Sequence, residues 1–196
     1  MRRYILTGTP GAGKTSILRG LAQLGHSTVE EAATTVIAQA QEHGEAEPWT
    51  RASFLDDIVA VQRRRQREAP VPADGVQFFD RSPVCTHALA VYLKLPHSPA
   101  LVSELDRIAR EAVYERDVFF VRNLGFCEPS AARRISFRES LEFERVHEQS
   151  YRTFGYRLID VPAGPLTRRT GAVRAAAARL AAAAPTSPEP APGPTR

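Results

Sequence analysis

Short apolar runs alternate with longer amphipathic segments along most of the chain. Five such runs, each bounded by turn-forming or polar residues, predict β-strands at 3–7, 27–30, 76–79, 118–121 and 156–161. Between them, apolar residues recur at helical spacing and predict helices at 14–24, 31–42, 54–68, 83–95, 100–115 and 135–154. Alternating strands and helices predict an α/β fold, in which right-handed crossovers place helices on both faces of a parallel sheet.

The length and the C-terminal composition limit the number of domains. A chain of 196 residues provides one core of ordinary size. We expect a single domain over 1–184, ending in an alanine-rich helix at 172–184. Residues 185–196 are proline-rich and polar, which predicts a disordered tail.

The most specific pattern follows the first strand. Residues 8–15 read GTPGAGKT, which matches the phosphate-binding P-loop G-x-x-x-x-G-K-[ST] in its required place between a strand and a helix. In a P-loop, backbone N–H groups bind phosphate oxygens, the lysine contacts the terminal phosphates, and the hydroxyl after it reaches Mg²⁺. The predicted nucleotide-binding residues are Gly8, Thr9, Pro10, Gly11, Ala12, Gly13, Lys14, Thr15 and Ser16.

Lysine is rare in this chain, which gives Lys14 extra weight. Of 26 basic residues only Lys14 and Lys94 are lysines, and the P-loop explains the first of them. We predict that Lys14 is an exposed loop residue and that Lys14 and Thr15 contact ATP (or GTP) and Mg²⁺ respectively.

Charged residues follow two more strands at the same predicted sheet edge. Asp80 ends the third strand, where a carboxylate can hold the Mg²⁺ shell; alternatively, it caps the next helix in competition with Ser82. Arg81 pairs either with an anionic group or with a neighbouring carboxylate. Glu30 and Glu31 follow the second strand, where a carboxylate can accept the proton of an attacking hydroxyl or merely favour the helix dipole.

Arginines between the fourth and fifth strands are candidates for a lid. Arg133 and Arg134 can bring guanidinium groups over a transferring phosphoryl, although exposed helical arginines are more often solvated. The arginine run at 63–67 is interpreted as a solvated helix face.

A second group of residues predicts an acceptor pocket. Trp49, Phe54 and Gln62 follow the second strand and offer ring stacking and amide hydrogen bonds, although core packing explains Phe54 equally well. His87 and His147 have no partner at metal-ligand spacing and are interpreted as structural. Cys85 and Cys127 show no paired spacing and are expected to be buried thiols.

The net charge of +4 raises the question of nucleic-acid binding, but no nucleic-acid motif accompanies it, so we consider such a partner improbable. No apolar run is long enough to span a membrane and no signal sequence precedes the first strand, so we expect a cytoplasmic protein without membrane contact.

Several of these segments together resemble a known family. The segments GTPGAGKTS, VEEAA, FFDRSP, VFFV, AARRIS and YRTFGYRLIDVP resemble the AAA-domain P-loop family grouped with the ribosylnicotinamide kinase domain of NadR, over about residues 1–170. The resemblance implies a nucleoside and nucleotide kinase fold with strand order 2-3-1-4-5. It also implies phosphate binding by Gly11, Gly13 and Lys14, magnesium binding by Thr15, a DR motif at Asp80 and Arg81, a glutamate at Glu31 and lid arginines at Arg133 and Arg134. Thr34 stands where family members often carry an arginine.

Three functions fit these features. The leading hypothesis is an ATP-dependent kinase that transfers the γ-phosphoryl to a small, hydroxyl-bearing, nucleoside-like metabolite. The alternative is a switch that hydrolyses ATP or GTP and acts through a protein partner. The third and weakest is a nucleic-acid-associated ATPase. The short chain argues against a ring-forming AAA motor.

Overall fold

A computed structural model describes residues 1–126 and 136–183 of the protein. The strands are β1 Arg2–Thr7, β2 Ser27–Val29, β3 Val76–Asp80, β4 Asp117–Val121 and β5 Arg157–Val161. The helices are α1 Lys14–Gln23, α2 Ala32–Glu42, α3 Phe54–Glu68, α4 Pro83–Tyr92, α5 Pro99–Arg110, α6 Phe137–Thr153 and α7 Leu166–Ala183, with a 3₁₀ turn at Pro48–Thr50. Sequence periodicity did not predict that turn.

The five strands form one parallel sheet in the order β2-β3-β1-β4-β5, which confirms the predicted fold class and strand order. Near the end of β1, Leu6 pairs with Asp80 of β3 and Thr7 pairs with Phe120 of β4. Because the strands are parallel, the segments that follow them meet at one edge of the sheet. That edge carries the candidate site.

Side chains that alternate along the strands build a separate core on each face of the sheet. On one face, Ile5 packs in a cluster with residues of α2, α3, α4, α5 and α6. On the other face, Tyr4 and Leu6 pack with residues of α1 and α7. The sheet is therefore covered on both sides, as the continuous apolar sequence of β4 predicts.

Two helices end earlier than predicted, and the reason is the same in both. Helix α5 ends at Arg110 instead of residue 115, and α4 ends at Tyr92 instead of residue 95. Lys94 and Ala112 adopt left-handed backbone conformations with φ of 56° and 46°. In each case the next amide donates back to the last helical turn, which closes a C-cap of the Schellman type. Glycine usually marks this cap, and neither helix has one.

The C-terminal helix begins earlier than its composition predicts. It starts at Leu166, six residues before the alanine-rich stretch, and it packs against α1 and the sheet. The predicted tail at 185–196 lies outside the described residues. None of the described helices combines the length and apolar composition that a bilayer-spanning segment requires.

Candidate functional site

The predicted P-loop connects β1 to α1 and depends on glycine at several positions. Gly8, Gly11 and Gly13 have φ angles of 123°, 83° and 83°, a region that side-chain-bearing residues rarely adopt. A Cβ at Gly8 would lie 2.3 Å from the carbonyl oxygen of Val121, so the loop passes too close to β4 for any other residue. The backbone geometry therefore fits the phosphate-binding loop that the sequence spacing predicts.

Lys14 is buried, contrary to the prediction of an exposed loop residue. It is the first residue of α1, its exposed fraction is 6%, and its Nζ donates to the carbonyl oxygen of Thr9 at 2.7 Å. Burial and the nearby Arg81 lower the pKa of Lys14 to about 8, against the opposing effect of Asp80 and Glu31. The lysine is therefore an incompletely compensated cation inside the loop.

Thr15 and Asp80 form the pair that was predicted to bind magnesium. The Thr15 hydroxyl donates to Asp80 Oδ2 at 3.1 Å, while the buried Asp80 Oδ1 has no partner among the described residues. Burial raises the pKa of the Asp80 carboxyl above its ordinary value, although Lys14 opposes the change. The alternative that Asp80 caps a helix is wrong, because the N-cap residue of α4 is Ser82 and no side chain caps that end. An adjacent hydroxyl and carboxylate, with one orphaned oxygen, suit a hydrated Mg²⁺ ion.

Arg81 and Glu31 form an ion pair across the ends of β3 and β2, so the partner of Arg81 in this structure is a neighbouring carboxylate. Glu31 also accepts a hydrogen bond of 3.0 Å from Thr34. Burial would raise the pKa of Glu31, but Arg81, Lys14 and these hydrogen bonds outweigh it and lower the pKa below its usual value. Glu31 thus stays ionised. Of the two candidate glutamates, Glu31 is the one whose charge interacts with Lys14, whereas Glu30 is exposed.

His147 contacts this ion pair, which the sequence did not predict. The imidazole is fully buried, and its Nε2 lies 3.1 Å from Nη1 of Arg81 while Nδ1 lies 3.0 Å from the carbonyl oxygen of Phe143. Because an arginine only donates, Nε2 accepts, and the ring proton is on Nδ1. Burial and Arg81 lower the pKa of His147 well below its ordinary value, so the ring is neutral. One helical turn later, Tyr151 hydrogen bonds to Ser82 at 2.8 Å.

A cavity of about 400 Å³ opens directly beside the P-loop. Helices α2, α3, α4 and α6 contribute most of its wall, and most of its surface is apolar. Trp49, Phe54 and Gln62, which were predicted to line an acceptor pocket, all contribute to it. Its polar lining side chains are those of Glu31, Gln62, Arg81, Thr86, Tyr92 and Glu139, and it also contacts Cys85. Pro10 of the P-loop forms part of the same wall, so the loop and the cavity share a boundary.

Other predicted residues fall in different places. Arg65 is not part of a purely solvated face: its guanidinium donates to the carbonyl oxygens of Glu30 and Glu31 at 2.8 and 2.9 Å, and so fixes the segment after β2. Ser16 is exposed in the first turn of α1, and Cys85 is a buried free thiol. The predicted lid arginines Arg133 and Arg134, and Cys127, lie outside the described residues. Within the described ranges, no three His, Cys, Asp or Glu side chains cluster as a ready metal site.

The sequence matches the family model of the AAA domain over residues 3–169. The chain belongs to the AAA-domain family. The predicted resemblance, over about residues 1–170, is thereby confirmed. No curated protein sequence matches it.

Solved structures share the fold at low sequence identity. Deoxyadenosine kinase from M. mycoides with products dCMP and dCDP bound has a TM-score of 0.61 and 12% identity, over 91% of this chain and 99% of that chain. NadR in complex with NAD and AMP-PNP has a TM-score of 0.63 and 16% identity, over 96% of this chain but only 52% of NadR. Shikimate kinase from Acinetobacter baumannii with shikimate has a TM-score of 0.54 and 13% identity, over 92% and 94%. The fold is that of P-loop kinases.

Proposed function

We propose that this protein is a Mg²⁺-dependent kinase that transfers the γ-phosphoryl group of ATP (or GTP) to a hydroxyl of a small, nucleoside-like metabolite. The observation that carries the proposal is the shared boundary of the P-loop and the cavity. Pro10, Glu31 and Arg81 line a space large enough for a small molecule, next to the loop that would hold the triphosphate. A donor and an acceptor would therefore meet at the end of β1.

On the donor side, the proposed roles follow the buried charges. Gly8 to Ser16 would bind the phosphates, and Lys14 would neutralise the terminal ones. Thr15 and Asp80 would hold Mg²⁺, which would supply positive charge that stabilises the negative charge of the phosphates. The incompletely compensated charge of Lys14 and the orphaned oxygen of Asp80 both support this arrangement, because a magnesium nucleotide would supply a partner for each.

On the acceptor side, Glu31 is the proposed general base. The acceptor oxygen would attack the γ-phosphorus, its proton would pass to the Glu31 carboxylate, and the bond from the γ-phosphorus to the bridging oxygen would break, releasing ADP. Glu31 is available for this step because it is ionised at neutral pH and lines the cavity together with Pro10 of the P-loop. Arg81, held by Glu31 on one side and by His147 on the other, would orient that carboxylate.

The charge of the cavity supports a neutral or cationic acceptor over an anionic one. Among the described residues that line it, Arg81 is the single cation, and Glu31 already neutralises it. Glu139 adds a further negative charge. A phosphate or carboxylate on the acceptor would therefore lack a partner, and burying an unpaired charge is costly. This favours a nucleoside over a nucleotide or a sugar acid, with its ring against Trp49 and Phe54 and an amide contact to Gln62.

The amide of Gln62 is held in a definite orientation. Thr86 Oγ1 donates to Gln62 Oε1 at 3.1 Å, and the Nε2 group has no acceptor among the described residues. A hydrogen-bond acceptor on the ring of the substrate would satisfy it. The lid role of Arg133 and Arg134 stays a prediction of the sequence.

A screen for phosphoryl acceptors tests the proposal. Nucleosides, nucleotides, sugars and vitamin precursors are each incubated with MgATP or MgGTP. At least one uncharged or cationic compound should accelerate ADP or GDP release and gain one phosphoryl group by mass spectrometry. If no acceptor emerges and a protein partner instead accelerates hydrolysis or binds only the triphosphate form, the protein is a nucleotide-dependent switch.

A further inference from the structure

Arg169, in the first turn of α7, lies directly behind the P-loop. Its exposed fraction is only 4%, although the neighbouring Arg168 is exposed. Nη2 of Arg169 donates to the carbonyl oxygen of Ala12 at 2.8 Å and to that of Arg122 at 3.1 Å. The sequence did not point to this residue, because it precedes the predicted alanine-rich helix at 172–184 and belongs to none of the motifs described above.

This guanidinium lacks the anionic partner that buried arginines normally have. Arg107, which is similarly buried, is paired with Glu104 and Glu111. By contrast, no carboxylate among the described residues lies within 4.0 Å of Arg169, and its buried Nε has no hydrogen-bond partner there. Burial lowers its pKa below the ordinary value. Because a buried charge without a counter-charge is costly, an anion outside the described residues is expected to compensate it.

The contact also orients the peptide group between Ala12 and Gly13. The Ala12–Gly13 peptide bond is trans and planar, so its C=O and N–H point in opposite directions. With the Ala12 carbonyl held by Arg169, the Gly13 amide points away from α7, and it donates to no group among the described residues. Arg169 therefore leaves a backbone donor facing the inside of the phosphate-binding loop.

The position of Arg169 is fixed from two sides. A Cβ on Gly13 would lie 2.9 Å from its Nη1, so the glycine lets the guanidinium approach the loop. On the helix side, α7 packs closely on α1: a Cβ on Gly20 would lie 3.0 Å from the Thr170 side chain. Val173, farther along α7, is fully buried in the apolar cluster that α7 forms with α1 and the sheet. Gly13 of the loop and Gly20 of α1 thus allow α7 to hold Arg169 against the loop.

We propose that Arg169 is a positioning residue for the phosphate site. It fixes the orientation of the Ala12–Gly13 peptide, and the bound polyphosphate supplies the counter-charge that Arg169 lacks. The inference rests on the nucleotide site of the proposed function but is independent of the acceptor. One consequence is that the packing of α7 and the binding of nucleotide stabilise each other. The helix orients a backbone donor toward the phosphates, and the phosphates supply the counter-charge of Arg169.

The test compares two adjacent arginines of one helix in the full-length chain. Arg169→Gln removes the buried charge, Arg169→Lys keeps a charge without the forked donors, and Arg168→Gln is the matched exposed control. Affinity is measured by calorimetry with MgATP, MgGTP and inorganic triphosphate. We expect Arg169→Gln to lower the affinity by about 10-fold or more, both for the nucleotide that the wild type binds and for inorganic triphosphate. Arg169→Lys should recover part of the loss, and Arg168→Gln should stay within about twofold of the wild type.

A second measurement on the wild type keeps the inference testable if the Arg169 variants do not fold. Nucleotide should slow amide exchange in the first turn of α7, and leave exchange in α5, on the other face of the sheet, unchanged. Wild-type affinity in Arg169→Gln, or no protection of α7, would overturn this inference while leaving the kinase proposal intact. If the wild type binds neither MgATP nor MgGTP, both this inference and the kinase proposal are wrong.

Discussion

The P-loop and the cavity beside it share a wall, yet they are built on opposite principles. The loop is one continuous segment, and two buried cations lie against it: Lys14 at its end and Arg169 of α7 behind it. The cavity is assembled from separate helices, is mostly apolar, and carries one arginine that Glu31 already neutralises. The first region suits polyphosphate and the second suits an uncharged ring. Changes in either region should therefore affect different substrates.

The residue between the two regions should have the largest effect on turnover. Glu31→Gln keeps the shape of the side chain but removes the proposed base, so we expect kcat to fall by about 10²-fold or more. The affinity for MgATP should not fall, because the residues proposed to bind phosphate are unchanged and one negative charge near Lys14 is removed. Glu30→Gln, one residue away and exposed, is the matched control and should retain the activity of the wild type.

A change in the loop should affect nucleotide binding alone. Lys14→Ala should weaken MgATP binding by about 10²-fold, since several charge-assisted hydrogen bonds to phosphate are lost together. The nucleotide-free protein should melt within a few degrees of the wild type, because removing a poorly compensated buried cation also removes its desolvation cost. Calorimetry and thermal melts check the two effects. Tight nucleotide binding by Lys14→Ala would refute the P-loop assignment.

A change in the cavity should do the reverse. Gln62→Leu preserves volume and removes the amide, so KM for the acceptor should rise by about 10-fold while KM for ATP stays the same. Gln149→Leu, an exposed glutamine of α6, serves as the control for the substitution itself. An equal rise in both KM values would show that the two regions are not separate.

The pH dependence of nucleotide binding probes the loop again, without any change in the cavity. The pKa of Lys14 is about 8 without nucleotide, and bound phosphate favours its protonated form. Above pH 8, binding must therefore take up a proton, and MgATP affinity should fall by up to about 10-fold per pH unit. Lys14→Arg stays charged and should lose this dependence in calorimetric titrations between pH 7 and about 9.5.

The same shift has a defined sign for folding. The unfolded lysine keeps its higher, ordinary pKa, so above pH 8 the unfolded chain binds more protons than the folded one. The contribution of Lys14 to the free energy of unfolding should therefore rise with pH through this window.

The sequence predicts the P-loop better than the cavity, because the loop is one local segment and the cavity is assembled from distant ones. The P-loop was predicted residue by residue because its chemistry resides in a fixed local spacing, and the strand order followed from family resemblance. The ion pair of Arg81 with Glu31 could not be read from spacing, because the partners lie 50 positions apart. His147 and Arg169 gave no signal at all: a histidine on a helix is usually structural, and an arginine near the C-terminus is usually solvated. Their importance comes only from burial and from the partner each contacts or lacks.

The most direct test of the central claim, that the two regions serve one reaction, follows the label from γ-labelled ATP once an acceptor is found. Label should appear in the acceptor and barely in inorganic phosphate, and Gln62→Leu should shift it toward phosphate at unchanged ATP affinity. Label that appears only in inorganic phosphate, at a rate that no acceptor changes, would contradict the claim.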